Sequence, residues 1–220
     1  VNHQIISPRE NKPIITIVQD TLLGIYKLTH SEIIQYPQGS SYHYGENTNL
    51  YKISDSNAKT QCVNSCVFSR NQMMNLVSDL STFQGVPPPS DCKVNLNGEE
   101  IEMWSGKCIL SFILPDIVNL TMPNGRFDNV KDSDAQLTGV KEELKKNNKT
   151  INLVKIVNGV IQHGTFDKAL FSKTSKGLIH TIYNDLGPQR AHDFINDLQK
   201  IVTYFLLIEG FSVGISDMIA

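Results

Sequence analysis

The 220-residue chain has no run of about 18 or more consecutive apolar residues, which excludes a membrane-spanning helix from the expected elements. Cysteine is scarce. Cys62, Cys66, Cys92 and Cys108 are too few for a disulfide framework at this length, and they read as reduced thiols of an intracellular protein. Charge of one sign is lacking too: 20 Lys+Arg against 22 Asp+Glu leave a net charge of −2. A free-standing DNA-binding domain is usually more basic. The N-terminal stretch VNHQIISPRENKP is polar and carries Pro8 and Pro13, so it does not read as a signal peptide. It starts on Val rather than Met, as expected of a piece of a longer chain. Without a secretory signal the sequons at Asn119 and Asn148 carry little weight. Catalytic signatures are missing as well. The sequence contains no Gly-x-Ser-x-Gly elbow and no His-Glu-x-x-His helix. Gly106-Lys107 resembles the end of a phosphate loop but lacks the upstream Gly and the following Ser or Thr.

What is present fits a globular protein. Apolar residues make up 40% and charged residues 19%, a balance that argues against wholesale disorder. The length suits one sizeable domain or two small ones, and a single domain this size buries about 70% of its unfolded surface without a staple. A bias of 16 Lys to 4 Arg is compatible with an A/T-rich genome.

Periodicity suggests a β-rich run at Ile14–Val18, then a helix with Leu22, Leu23, Ile25, Tyr26 and Leu28 on its apolar side. Gly24 weakens that helix by about 1 kcal/mol relative to Ala. Thr29 and Glu32 have capping-box spacing for a short second helix. Residues 36–61 are polar and hold four of the seven tyrosines, so they read as a long loop or insertion. Ser69 and Gln72 again have capping-box spacing, ahead of Met73, Met74, Leu76, Val77 and Leu80 on an amphipathic helix that Pro87–Pro89 should end. Ser105 is placed to cap an apolar, buried helix from Gly106 to Leu114, stopped by Pro115. Residues 116–150 alternate turns with short strand-like pieces and end in the charged stretch KEELKKNNK. Asn158-Gly159 joins Ile151–Val157 to Val160–Thr165 as a hairpin, because both turn residues tolerate positive φ. Gly187-Pro188 opens the last helix, with Phe194, Leu198, Ile201, Phe205 and Ile208 at helical spacing and Gly210 at its end. It should run about 33 Å. Helices and hairpins mix without a βαβ rhythm, so the expected class is α+β.

Candidate chemical groups each have a plainer reading. Asp132 and Asp134 form a paired-carboxylate motif for Mg²⁺, but they sit in a polar turn where solvation suffices. His30-Ser31-Glu32 resembles the His-x-Glu of zinc deaminases without its Pro-Cys-x-x-Cys partner. Cys62, Cys66, Cys92 and one histidine have the chemistry of a tetrahedral zinc site; the simpler reading is free thiols beside a flexible insertion. The six histidines are scattered, and Gly177, Gly210 and Gly214 read as ordinary caps or close approaches. On its own residues the chain shows no self-sufficient catalytic centre.

Three segments resemble a known family when taken together. SPRENKPIITIVQDTLLGIYKLT (residues 7–29) is similar to the stretch that follows the catalytic aspartates in the largest subunit of multisubunit DNA-directed RNA polymerases. WSGKCILSFILP (104–115) resembles that family's W-[ST]-GKQ-x-x-S-x-x-P. The stretch from Val157 joins the Asn-Gly hairpin to GLIH (177–180), the long helix and GFSVGISD (210–217). Order and spacing match the family's pore domain, domain 3, and the segments cover roughly half the chain. Departures are Thr16 where relatives have Gly, the length of 36–61, and Ala169 beside Lys168 where relatives have a second Lys. Divergence, insertion and coding bias lean towards a large DNA virus, African swine fever virus-like, or a divergent eukaryote.

The resemblance implies an α+β pore domain over residues 1–220, within an enzyme that copies DNA into RNA. It implies that the catalytic Mg²⁺ is held by an aspartate loop of the parent chain. The fragment itself then supplies no catalytic residue, metal ligand or cofactor, and is expected to be inactive alone. Expected partners are the other polymerase subunits, NTPs, the RNA 3′ end and template DNA, and a transcript-cleavage factor; no membrane is expected. Gln19, Asp20 and Lys168 are the candidate lining of the pore or active centre. Asp20 reads equally as a helix N-cap and Lys168 as a plain surface lysine. Location follows the source: viral factory in the cytoplasm or virion if viral, nucleus if cellular. The competing reading is a non-catalytic interaction protein that binds a partner through 36–61.

Overall fold

A computed structural model describes residues 2–35, 60–64, 66–96, 99–123 and 153–218. Among the described residues five α-helices carry the architecture: α1 (Gln19–Thr29), α2 (Arg70–Val77), α3 (Gly106–Ile113), α4 (Lys168–Ser172) and α5 (Leu178–Glu209). The described strands form three small antiparallel sheets. β1 (Ser31–Gln35) pairs with β2 (Thr60–Asn64). β5 (Glu99–Ser105) lies between β3 (Val67–Phe68) and β4 (Cys92–Leu96). β7 (Leu153–Val157) lies between β6 (Leu120–Pro123) and β8 (Val160–His163). The class is α+β, as the absence of a βαβ rhythm suggests.

One apolar core joins all five helices to the third sheet. Ile25 and Leu28 of α1, Met73 and Val77 of α2, Ile109 and Ile113 of α3, Leu170 and Phe171 of α4, and Phe194, Leu198, Ile201 and Phe205 of α5 are buried together. The last four match the spacing read from the sequence; Ile208, the fifth residue of that reading, is 52% exposed, because the inward stripe stops at Phe205 near the end of the helix. A smaller cluster, Val67, Cys92 and Met103, sits apart within the second sheet.

Caps and turns were the most legible features. Ser69 and Gln72 form a complete capping box, each bonding the other's backbone amide. Ser105 accepts from the amide of Cys108 and so opens α3. The third hairpin turns through Asn158 at φ 49° and Gly159 at φ 74°. α5 breaks at Gly187 (φ 86°, ψ 171°), and Pro188 starts its longer part.

Five local expectations are corrected. Ile14–Val18 forms no strand: after Ile14 and Ile15 donate to the carbonyl of Ile5, none of the described strands lies alongside. Thr29 starts no second helix, since its hydroxyl turns back onto Ile25 and Ser31–Gln35 pairs with β2. α2 stops at Val77, ten residues before Pro87, where Ser78 accepts the role of C-cap. α3 is not buried on every face; Gly106, Ile109, Leu110 and Ile113 are buried, while Lys107, Cys108 and Phe112 are half-exposed. The predicted insertion overruns β2 by two residues, because Thr60 already pairs with Gln35. Residues 36–59 and the stretch with Asp132, Asp134 and KEELKKNNK lie outside the described residues, as does the Cys62 side chain.

Candidate functional site

The segments that carry the resemblance converge on one end of α1. Its amphipathic sequence buries Gly24, Ile25, Leu28 and Thr29. A Cβ on Gly24 would collide with Cγ1 of Val202 and touch Leu206, so the missing side chain lets α1 press against α5. This close approach offsets the helix propensity that glycine forfeits. One turn on, the Lys27 ammonium donates to the carbonyl of Gly210 at 3.1 Å and lies 5.8 Å from the centre of the Phe205 ring. It thereby serves the C-terminal end of α5, where carbonyls lack helical partners and the dipole favours a cation.

α3 meets the same end. A Cβ on Gly106 would run into the carbonyl oxygen of Leu28, a backbone obstacle that cannot swing away. The Gly106 amide donates to Cys66 at 3.1 Å, and the Cys66 thiol donates to the Lys27 carbonyl at 3.4 Å. Thr29 completes the junction. Its side chain is fully buried; the hydroxyl donates to the Ile25 carbonyl at 2.8 Å and accepts from the Phe166 amide at 2.9 Å. Sequence reasoning missed this role. Thr29 and Phe166 are 137 positions apart, so no local pattern announces the bond.

Phe166 leads to the first of the candidate pore residues. It is buried and meets Phe171 edge-on with ring centres 6.0 Å apart. Asp167 then caps α4 by accepting from the Leu170 amide at 3.0 Å. Lys168, the first residue of α4, is exposed, and so are Lys173 and Lys176 on the following turn. Ala169 packs against the core.

The opposite end of α1 is finished differently. Val18 stands at the N-cap and offers no side-chain bond; Asp20 is not the cap but a first-turn residue, where its charge suits the helix dipole. Gln19 holds φ 51°, a left-handed conformation that costs a non-glycine residue about 1–2 kcal/mol. Gln19 and Asp20 are exposed, and Ile14, Ile15 and Val18 beside them are exposed apolar residues. The Thr16 hydroxyl is buried and unpaired among the described residues. α1 is about 16 Å long. The structure therefore sets Gln19 and Asp20 together at one end and anchors the Lys168 segment at the other.

The three described thiols, Cys66, Cys92 and Cys108, are free and buried or half-buried. Burial, aided by nearby Glu209 and opposed by Lys27, pushes the Cys66 thiol up to about 12. Burial and then the Asp91 carboxylate push Cys92 and Cys108 up to about 12 as well. A protonated thiol is a poor metal ligand. Among the described residues no three His, Cys, Asp or Glu side chains gather in a way that holds a metal.

The described residues form an α+β body whose helices share one apolar core. The family described as RNA polymerase Rpb1, domain 3, matches residues 4–218. The chain belongs to that family: it is a segment of the largest subunit of a DNA-directed RNA polymerase, whose other subunits are its partners.

Proposed function

We propose that this domain shapes the passage by which NTPs reach the polymerase active centre and along which a backtracked RNA 3′ end leaves. In this reading the assembled enzyme is the nucleotidyltransferase, and the magnesium and its aspartates belong to other parts of the parent chain. The family match across nearly the whole chain carries the reading. The exposed position of Lys168 supports it locally.

The electrostatics of a passage suit this chain. A triphosphate is an anion, so a strongly acidic lining repels it and a strongly basic one retains it. A net charge of −2 over 220 residues does neither. Lys168 then acts as a placed cation, felt over a Debye length of about 8 Å. Gln19 and Asp20 face the catalytic loop from the other end of α1. The glutamine amide bonds backbone or RNA there. The same passage admits a transcript-cleavage factor, and the source is a large DNA virus or a divergent eukaryote.

The test is Lys168→Glu in the assembled polymerase. The apparent KM for NTPs is expected to rise about fivefold, as the loss and reversal of one screened charge allows. RNA–DNA hybrid stability should not change. An unchanged KM removes the steering role.

A further inference from the structure

We propose that Thr29 is a positioning residue for the NTP passage: its buried hydroxyl sets where the Phe166–Lys168 segment, and with it the Lys168 ammonium, stands. The inference rests on the steering role given to Lys168.

The geometry leaves the hydroxyl little else to do. Thr29 is fully buried at the last turn of α1. Its proton goes to the Ile25 carbonyl at 2.8 Å, which orients the oxygen's free lone pair outward from the helix. That lone pair takes the Phe166 amide at 2.9 Å. Without it the amide would be a buried donor with no acceptor. Two residues later the chain enters α4, whose N-terminus is fixed by Asp167 and whose Leu170 and Phe171 are fully buried. Lys168 thus sits on a short rigid stretch held at one side by Thr29 and at the other by the core. The anchoring helix is itself fixed through Gly24 on Val202 and Gly106 on Leu28. A placed charge steers only if its backbone is placed, and this hydroxyl makes a polar contact that ties that backbone to α1.

The experiment compares Thr29→Val, which keeps shape and removes the acceptor, with Thr29→Ser, which restores it, in the assembled polymerase. Hydrogen exchange of the stretch 164–171 is read alongside steady-state kinetics. Thr29→Val should speed exchange there about tenfold, the equivalent of one lost hydrogen bond, and Thr29→Ser should not. Thr29→Val should raise the apparent KM for NTPs about twofold at unchanged kcat, a fraction of the whole lysine's screened charge. On a Lys168→Ala background it should add nothing, because no ammonium remains to be misplaced. Unaltered exchange at 164–171, a Ser variant that behaves like Val, or a KM effect that persists without Lys168 overturns the proposal. If Lys168→Glu leaves KM unchanged, the steering reading fails, and the exchange measurement still decides whether Thr29 fixes the segment.

Discussion

The two ends of α1 are built on opposite principles. Its C-terminal half is tied to everything the chain can bring to it: Gly24 against Val202, Lys27 to Gly210, Leu28 against Gly106, Thr29 to Phe166. Its N-terminal end has no side-chain cap, carries Gln19 in a left-handed conformation, and leaves Ile14, Ile15 and Val18 exposed. One end closes the domain on itself. The other keeps the exposed apolar side chains Ile14, Ile15 and Val18 beside the exposed Gln19 and Asp20. The contacts that fix α1 therefore gather at its C-terminal end, while its N-terminal end is left with exposed side chains.

The sharpest way to break this comparison is Gly106→Ala. Its methyl group meets the Leu28 backbone, and the loss should be about 3 kcal/mol, seen as a failure to fold or a large fall in Tm. Gly24→Ala should cost less, about 1–2 kcal/mol, because its obstacle is the Val202 side chain and alanine gains helix propensity. Cys66 extends the comparison to pH. Its folded pKa is raised to about 12 from an ordinary value of 9.0, so the unfolded chain releases the proton first. That contribution is complete below pH 9 and is lost as pH rises towards 12. Chemical denaturation across that range should show stability falling, and less steeply in Cys66→Ala. In a Cys62→Ser background, thiol reagents at pH 8 should label the native protein far more slowly than the unfolded one. The smallest effects belong to the N-terminal end: Gln19→Gly should stabilise by up to about 1 kcal/mol, because glycine relieves most of the left-handed cost at φ 51°, and Asp20→Ala should move stability by no more than about 0.5 kcal/mol. A loss of several kcal/mol at Gln19 would show that both ends serve the fold, and the contrast drawn here would collapse.

The legible parts of the sequence were those with short-range causes. A hydroxyl three residues before an amide found the starts of α2 and α3 at Ser69 and Ser105. Two turn residues that tolerate positive φ found the hairpin at Asn158 and Gly159. The readings that failed shared the opposite property. Thr29 has cap spacing with Glu32, but a distant amide outcompeted the local helix. Ile14–Val18 has strand composition, but a strand needs a neighbour and none of the described residues supplies one. Among the candidate site residues, Asp20 lies in the first turn of α1, and the cap position offered for it is held by Val18.

The amino-acid order alone determined where helices start, which stripe of the last helix turns inward, and the family to which the three segments point. Those depend on contacts a few residues apart or on the pattern of the residues themselves. Only the tertiary structure decided why Gly24 and Gly106 lack side chains, what Lys27 and Thr29 hold, and that the candidate residues divide between the two ends of one helix. Each of these is a meeting of segments far apart in the chain, and a hydroxyl or a bare Cα carries no mark of the partner it will meet until the core has closed around both.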